Sequence, residues 1–376
     1  MYSLRLELPA GQDEVLQTAT IKGGWCKYAV HFRCPSCLGK LNPQEMMLSC
    51  TGCGHQWPVI GDLPWFALED RHYHADVPEP AMRQLIEGTM TLGWYPAFRR
   101  LLHSLPQPKS EVIAHNVLDP GRAMGLSLLP LQENSYVLDI GCGWGTLSVP
   151  LAESAALVVA MDLAALRARF TQLRAYQEGL HNLVVIGGGD TDYLPLQSDF
   201  FDAAILNGVL EWTASSRPGN PQHIYTEYLQ ETWRVLKPGG WLYIGIENRL
   251  SYLYLLGNPE DHIELPYIAL MPRWLADRYA MWKKGFQYRT HTYTLSGYGK
   301  LLRACGFEHP KFYHPLFSYR MPLKIVGVKD RQSLDYLLSQ SRWRGLKRSL
   351  TRFFIKSGFL SYLAHSYIIV ARKPGR

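Results

Sequence analysis

Apolar residues fall along this chain in short runs, most of which stop at an acid or a glycine. Such runs lie at 136–140, 157–161, 183–186, 201–206 and 241–246, and their brevity and closing glycines predict strands buried in a sheet. Between them the apolar positions take helical spacing, over 146–154 and over 165–180. Upstream, 80–105 has helical spacing broken at Gly93 and Pro96, which predicts two helices, and 121–131 predicts a short one before the first strand. Downstream, helices are expected over 273–282 and over 295–305, the latter closed by Gly306, and a final hairpin pairing 311–315 with 366–372. Strand and helix alternate from 136 to 246, which predicts an α/β fold. The first 24 residues carry one strand signal, at 2–8, and 70–80 reads as a linker whose His72 and His74 are solvated.

The first run organises the rest. It reads Tyr136-Val137-Leu138-Asp139-Ile140-Gly141-Cys142-Gly143-Trp144-Gly145-Thr146, with an acid inside the strand and glycine at every second position after it. Glycine there lets the backbone bend sharply and admits a ligand where a Cβ would obstruct it. Strand, glycine loop and helix in that order form the nucleotide-binding corner of an open α/β sheet. The spacing is Gly-x-Gly-x-Gly, not the Gly-x-Gly-x-x-Gly that seats a pyrophosphate on a helix N-terminus. An acid on the strand would repel a pyrophosphate and suits a cationic, amino-acid-bearing ligand.

This motif resembles the first motif of class I S-adenosylmethionine-dependent methyltransferases, and further landmarks follow in the family's order. They are Asp162 closing the second run, Asp190 after Gly187-Gly188-Gly189, Asn207 closing the fourth run before Gly208-Val209-Leu210-Glu211-Trp212, and Arg234-Val235-Leu236-Lys237-Pro238-Gly239-Gly240 as helix end and turn before the fifth strand. The resemblance implies a seven-stranded Rossmann-like methyltransferase sheet, parallel with one antiparallel strand and with helices on both faces. It implies S-adenosylmethionine as cofactor, lined by Asp139, Gly141, Cys142, Gly143, Gly145, Asp162, Leu163, Asp190, Thr191 and Asn207. In that scheme Asp162 holds the ribose, Asp190 the adenine amino group, and the glycines line the methionine end.

Cysteine usage adds a second chemistry. Cys34-Pro-Ser-Cys37 and Cys50-Thr-Gly-Cys53 each place two thiolates across a two-residue gap, and 12 residues separate the pairs, the pattern of a tetrathiolate zinc site. The segment 28–66, ending Trp57-Pro58-Val59-Ile60-Gly61-Asp62-Leu63-Pro64-Trp65-Phe66, resembles the zinc ribbon of the methyltransferase activator Trm112. That likeness implies a ribbon that docks on the catalytic domain, ahead of direct substrate recognition. A ribbon this small buries little core, so the metal supplies its folding free energy. The domains expected are therefore 1–70, the ribbon; 71–134, linker and helical cap; and 135–376, the methyltransferase domain with insertions at 247–294 and 319–362.

With 376 residues and 47% apolar composition the chain has room for a sizeable core. Arg5 and Glu7 interrupt the opening apolar residues, so no signal peptide is expected, and no apolar run approaches the ~18 residues of a membrane span. A cytoplasmic protein is the expectation. Net charge is +7, which admits nucleic acid, anionic lipid or an acidic substrate without choosing among them. In the second insertion, Trp343, Leu346, Leu350, Phe353 and Phe354 share one helical face and Arg344, Arg348, Arg352 and Lys356 another. Such a face suits peripheral contact with an anionic membrane surface, and equally an apolar stripe packed on the domain.

Substrates meet an open α/β sheet at its strand tips, and insertions there form acceptor sites. Transfer to a hydroxyl is helped by a general base, and Glu211, Glu247 and His262 are the candidates, with His291 behind them. The segment 247–294 also mixes Asn248, Arg249, Asp261, Tyr288, Arg289 and Tyr293, groups that suit a polyol. Its Glu-Asn-Arg, Pro-Glu-Asp-His and Tyr-Arg-Thr sequences loosely resemble bacterial methyltransferases of surface-polysaccharide or glycolipid assembly. O-methylation of a small-molecule or saccharide acceptor is the expectation, with methylation of tRNA or rRNA, served by the ribbon and the basic C-terminal third, as the alternative.

Overall fold

The structure is a computed structural model and describes residues 24–44, 46–68, 77–340 and 344–375. The strand expected at 2–8, His72, His74 and Trp343 lie outside the described residues. The chain divides into two compact units, one formed by 1–119 and 132–197, the other by 120–131 and 198–376.

The first unit begins with a four-stranded antiparallel ribbon in sequential order: β1 (Leu41–Pro43), β2 (Met47–Cys50), β3 (Gln56–Ile60) and β4 (Leu63–Pro64). Helices Glu79–Leu92, Trp94–Ser104 and Lys109–Leu118 follow, the first two joined at Gly93, whose φ of 94° stops one and starts the other. Three parallel strands then pair in order: β5 (Tyr136–Ile140), β6 (Leu157–Asp162) and β7 (Leu183–Gly187). Every residue of β6 and β7 is buried, which is why these runs read as unbroken rather than alternating. The helix expected over 146–154 is only Ser148–Ala152, because the glycine turn takes up its first residues.

Ribbon and parallel strands share one core within this unit. Phe32 bridges Leu196, Trp65 bridges Gly187, and Phe66 N–H donates to the Gly187 carbonyl at 2.9 Å. The fully buried Arg169, on helix Ala165–Gln177, reaches the Gly61 carbonyl at 2.5 Å, and Gln172 reaches that of Asp62 at 2.8 Å. A Cβ on Gly187 would stand 1.9 Å from Cε3 of Trp65, so the indole lies flat against bare backbone.

The second unit holds β8 (Phe201–Asn207), β9 (Leu236–Glu247), β10 (Glu308–Ser318), β11 (Met321–Gly327) and β12 (Ser366–Arg372). β8 and β9 are parallel; β12 is antiparallel to β9, β10 to β12 and β11 to β10. The strands β5–β12 make a mixed sheet of eight, so the expected seven strands with one antiparallel member gain a further antiparallel edge strand, β11. It comes from the insertion after 318, where a tight hairpin turns β10 back on itself. The turn expected at Lys237–Gly240 lies within the bounds of β9: Phe201 pairs with Leu236 and Ala203 with Trp241, so four residues loop out opposite Asp202 alone, with Gly239 at a φ of 83°.

Helix Pro221–Val235 starts where Asn220 accepts from Gln222 N–H at 2.9 Å, and helix Leu295–Ala304 where Thr294 accepts from Gly297 N–H at 3.1 Å. The segment after β9 builds a small core of its own from Ile263, Leu265, Ile268, Ala276, Ala280 and Tyr288. On the basic helix Gly345–Ser357, Leu350 and Phe353 are exposed, while Ile355 packs against Leu334 and Leu338. Leu350 and Phe353 of the apolar stripe are therefore off the packed face, and Phe354 is half-buried. Among the described residues no helix is long and apolar enough to cross a membrane.

Candidate functional site

In the first unit the glycine loop is held in shape by the strand beside it. Gly141, Gly143 and Gly145 have φ of 71°, 55° and 75°, a region that L side chains rarely enter. The Met161 carbonyl accepts from Gly141 N–H at 2.7 Å and from Cys142 N–H at 3.0 Å. Asp162, closing β6, accepts from Gly143 N–H at 2.7 Å through Oδ2 and from Ala164 N–H at 2.9 Å through Oδ1. Each oxygen keeps a lone pair for a ligand. A Cβ on Gly145 would crowd Thr171 at 2.9 Å, whose hydroxyl donates to the Gly143 carbonyl at 2.9 Å. Beside Gly143, Arg167 lies over the Trp144 ring.

Asp139 is buried beneath this loop and accepts from the Ser148 hydroxyl at 2.5 Å. Burial raises its pKa to about 6, with Asp162 adding to the effect and the Ser148 hydrogen bond opposing it. Asp190 and Thr191 are buried past the tip of β7. Asp190 accepts the Leu68 N–H on both oxygens, at 3.0 and 3.1 Å, so the chain leaving the ribbon is tied to the acid expected to meet adenine. Leu163 is half-buried next to Asp162. Asn207 belongs to the second unit, at the end of β8, and its Oδ1 is buried without a hydrogen-bond partner. The glycine loop, Asp162 and Asp190 thus stand at the ends of the neighbouring strands β5, β6 and β7.

The four ribbon cysteines converge. Their sulfurs all lie within 4.8 Å of one another, with Cys34–Cys53 at 3.7 Å and Cys37–Cys50 at 3.5 Å. Four sulfurs about 2.3 Å from one zinc ion stand about 3.8 Å apart, so the set is spaced for a tetrahedral ion. Gly52 and Cys53 N–H groups point at Cys50 Sγ, and a Cβ on Gly39 would stand 2.9 Å from that sulfur.

The second unit brings together the three proton-accepting candidates. Glu211 sits in the short turn Leu210–Trp212 after β8, Glu247 ends β9, and His262 lies in the following insertion. His262 Nε2 is 3.5 Å from Glu211 Oε1 and 3.6 Å from Glu247 Oε2, and all three side chains are buried. Neither Glu211 oxygen, nor Glu247 Oε2, nor His262 Nε2 has a hydrogen-bond partner. The far side of each group is anchored. His262 Nδ1–H donates to Glu260 Oε1 at 2.7 Å, and Glu260 Oε2 accepts the N–H groups of His262 and Ile263, both at 2.9 Å. Glu247 Oε1 accepts from Tyr319 OH and from Arg320 Nη2, both at 2.9 Å. Burial raises the Glu211 pKa. Burial works the same way on Glu247, but Arg320, His262 and the Tyr319 hydroxyl outweigh it and hold that carboxyl below its ordinary value. Burial disfavours the His262 cation, yet Glu247, Glu211 and Glu260 outweigh it and lift its pKa well above 6.5.

Glu260, Tyr319 and Arg320 were not singled out from the sequence. The Glu-x-His spacing of Glu260 was visible there, whereas Arg320 is 73 residues from Glu247 and left no local signal. His291 is held differently from the cluster: its Nε2–H donates to the Tyr288 carbonyl at 2.8 Å, and burial, with Arg273, lowers its pKa to about 3.

The groups expected to serve a polyol are mostly committed elsewhere. Asn248 is fully buried and donates to the carbonyls of Tyr362 and Ala364. Arg249 is spent on Ala269 and Met271, and Arg289 on Ala214, Arg217 and Gly219. Tyr288 is buried on Glu260, and Asp261 accepts from Tyr254 OH. Loop carbonyls without helix or sheet partners need donors, and these side chains supply them. Asn248, Arg249 and Arg289 are therefore engaged with the chain's own carbonyls and are not offered to a sugar.

The sequence model of the methyltransferase domain matches residues 138–244, from β5 into β9. The chain carries a class I S-adenosylmethionine-dependent methyltransferase domain. A ubiquinone biosynthesis O-methyltransferase of Thiobacillus denitrificans is 26% identical to it over 250 residues, covering 65% of this chain and 94% of that one. A ribosomal RNA small subunit methyltransferase C of Alcanivorax borkumensis is 27% identical over 157 residues, covering 41% of this chain and 46% of that one. Among solved structures, a complex of the Haloferax volcanii Trm112 methyltransferase activator with a methyltransferase aligns at 15% identity and a TM-score of 0.43, over 74% of this chain and 97% of that one. The methyltransferase domain thus includes the glycine loop, Asp162, Asp190, Asn207 and Glu211, while Glu247 and His262 lie beyond the matched residues.

Proposed function

We propose that this methyltransferase transfers a methyl group to a hydroxyl oxygen of a small-molecule acceptor. The observation that carries the reading is the buried meeting of Glu211, Glu247 and His262, which turn free lone pairs and a ring nitrogen toward one another. Methylating a hydroxyl breaks its O–H bond, and such a cluster is suited to taking up or stabilising that proton's charge. The similarity to ubiquinone biosynthesis O-methyltransferases supports oxygen as the acceptor atom. When bound, S-adenosylmethionine supplies the methyl on a sulfonium; the O–CH3 bond forms as the S–CH3 bond breaks, leaving a neutral thioether and one released proton. On this reading Asp162 holds the ribose hydroxyls, Asp190 the adenine amino group, and Gly141, Gly143 and Gly145 the methionine end, with Asp139 supporting the loop from below.

In the same reading Cys34, Cys37, Cys50 and Cys53 bind zinc, which closes a ribbon that braces the cofactor end rather than touching the acceptor. Helix Gly345–Ser357, with Leu350 and Phe353 exposed beside Arg348 and Lys356, rests on an anionic membrane surface, which would suit an acceptor with a lipid tail.

The test is transfer of radiolabelled methyl to fractionated small metabolites and lipids, beside bulk tRNA and rRNA. Label in a hydroxyl-bearing small molecule, lost in His262→Ala while cofactor binding persists, is the expected result. Label in RNA alone would overturn the reading in favour of nucleic acid.

A further inference from the structure

We infer that Glu211, Glu247 and His262 form a binding site for a hard divalent cation, Mg2+ or Mn2+. The inference rests on the reading that this cluster is the acceptor end of the enzyme, and it says what the cluster holds. Three features carry it. The first is spacing: Nε2 of His262 stands 3.5 and 3.6 Å from one oxygen of each glutamate, and the ligand atoms of all three lie within 4.8 Å of one another. Neighbouring donors about 2.1 Å from an octahedral ion stand about 3.0 Å apart, so the three atoms need to close by only about half an ångström to share one.

The second is that the converging atoms are unsatisfied. Both oxygens of Glu211, Oε2 of Glu247 and Nε2 of His262 are buried with no hydrogen bond, while the opposite atoms of Glu247 and His262 are fully engaged. The long ion pairs of His262 with the two glutamates leave these buried atoms short of close hydrogen bonds, a cost of about 1–3 kcal/mol for each group that an ion between them would remove. The third is the outer arrangement. Glu260 accepts from His262 Nδ1–H and is itself fixed by two backbone N–H groups, the carboxylate–histidine support that orients a metal-binding imidazole. Arg320 and Tyr319 fix Glu247 in the same way.

Two carboxylates and one imidazole favour a hard cation over the thiolate-loving zinc of the ribbon. Three protein donors leave coordination positions open for oxygen ligands, and a hydroxyl placed there loses its proton more readily. An acceptor with a second oxygen beside the first would hold two such positions at once.

The experiment is a Mn2+ titration of the full-length protein followed by electron paramagnetic resonance, with no acceptor present. Expected are one Mn2+ bound per chain and a nitrogen coupling in the echo-modulation spectrum that is absent in His262→Ala. Glu211→Gln should lose the site, and Glu260→Gln, which touches no metal, should weaken it about 10–100-fold. Should a variant melt early, the nitrogen coupling in the unaltered protein decides alone. No bound Mn2+, or Mn2+ without nitrogen coupling, overturns the cation site. Oxygen methylation that proceeds in metal-stripped buffer without added Mn2+ would overturn it too while leaving the proposed function standing. Bound Mn2+ without transfer to any hydroxyl would do the reverse.

Discussion

Single residues in the glycine loop carry opposed costs that can be measured apart. Asp139 has a pKa of about 6 in the folded chain and about 4 in an unfolded one, so between those values the folded state binds the extra proton. Its contribution is complete below pH ~4 and is lost as pH rises through ~6. Asp139→Asn should therefore stabilise the cofactor-free protein by about 2–3 kcal/mol above pH 6 and have no effect near pH 4. Thermal melts of both proteins from pH 4 to 8 check this, and parallel curves would contradict it. Asp162 is different, because both of its oxygens bind loop N–H groups. Asp162→Ala should weaken S-adenosylmethionine binding by ~1.5–3 kcal/mol, the usual value of hydrogen bonds to a charged group. Unchanged affinity by calorimetry would remove Asp162 from the cofactor site.

Among elements, the edge strand β7 is the most exposed to test. Trp65 lies on Gly187 so closely that any Cβ must displace the indole, which is buried and hemmed by the ribbon. Gly187→Ala should cost about 1–3 kcal/mol by overpacking, and Trp65→Val in the same chain should return most of it. Denaturant midpoints of the two single variants and the double variant give the coupling. Additive losses would mean the two residues do not meet. The loop inside β9 shows how a turn at 237–240 and a continuous strand coexist. Lys237-Pro238-Gly239-Gly240 has turn chemistry, but strands pair on both sides of it and the chain runs on as one strand.

For the molecule as a whole, the ribbon is more than an appendage of the first unit. Its last residues supply the N–H that Asp190 accepts and the indole that covers Gly187. On the proposed zinc assignment, removing the ion should loosen the two cysteine loops of the ribbon, whose convergence the metal holds. Far-ultraviolet circular dichroism should then keep the α/β signal, while affinity for S-adenosylmethionine falls because Asp190 loses its tether. Chelation by a thiol-displacing agent, read by calorimetry before and after, measures both. Full cofactor affinity in the zinc-free protein would show that ribbon and cofactor end are independent.

What was legible in the sequence is what local chemistry decides. Three glycines at alternate positions announce a loop in the left-handed region, and their φ values lie there. Unbroken apolar runs announce buried parallel strands, and β6 and β7 have no exposed residue. Four cysteines in two pairs announce convergent sulfurs, since a two-residue gap can only turn both thiolates one way. The acceptor end was named only as a choice among Glu211, Glu247 and His262. That they meet is a matter of tertiary structure, because 51 residues separate the first from the last and no local rule joins them. The fate of Asn248, Arg249 and Arg289 was likewise hidden. A side chain that can serve a ligand can equally serve a stranded carbonyl, and only the folded loops show which carbonyls lack partners. The eighth strand and the exposure of Leu350 and Phe353 on Gly345–Ser357 depend on which neighbours arrive, and periodicity records a face without saying what covers it.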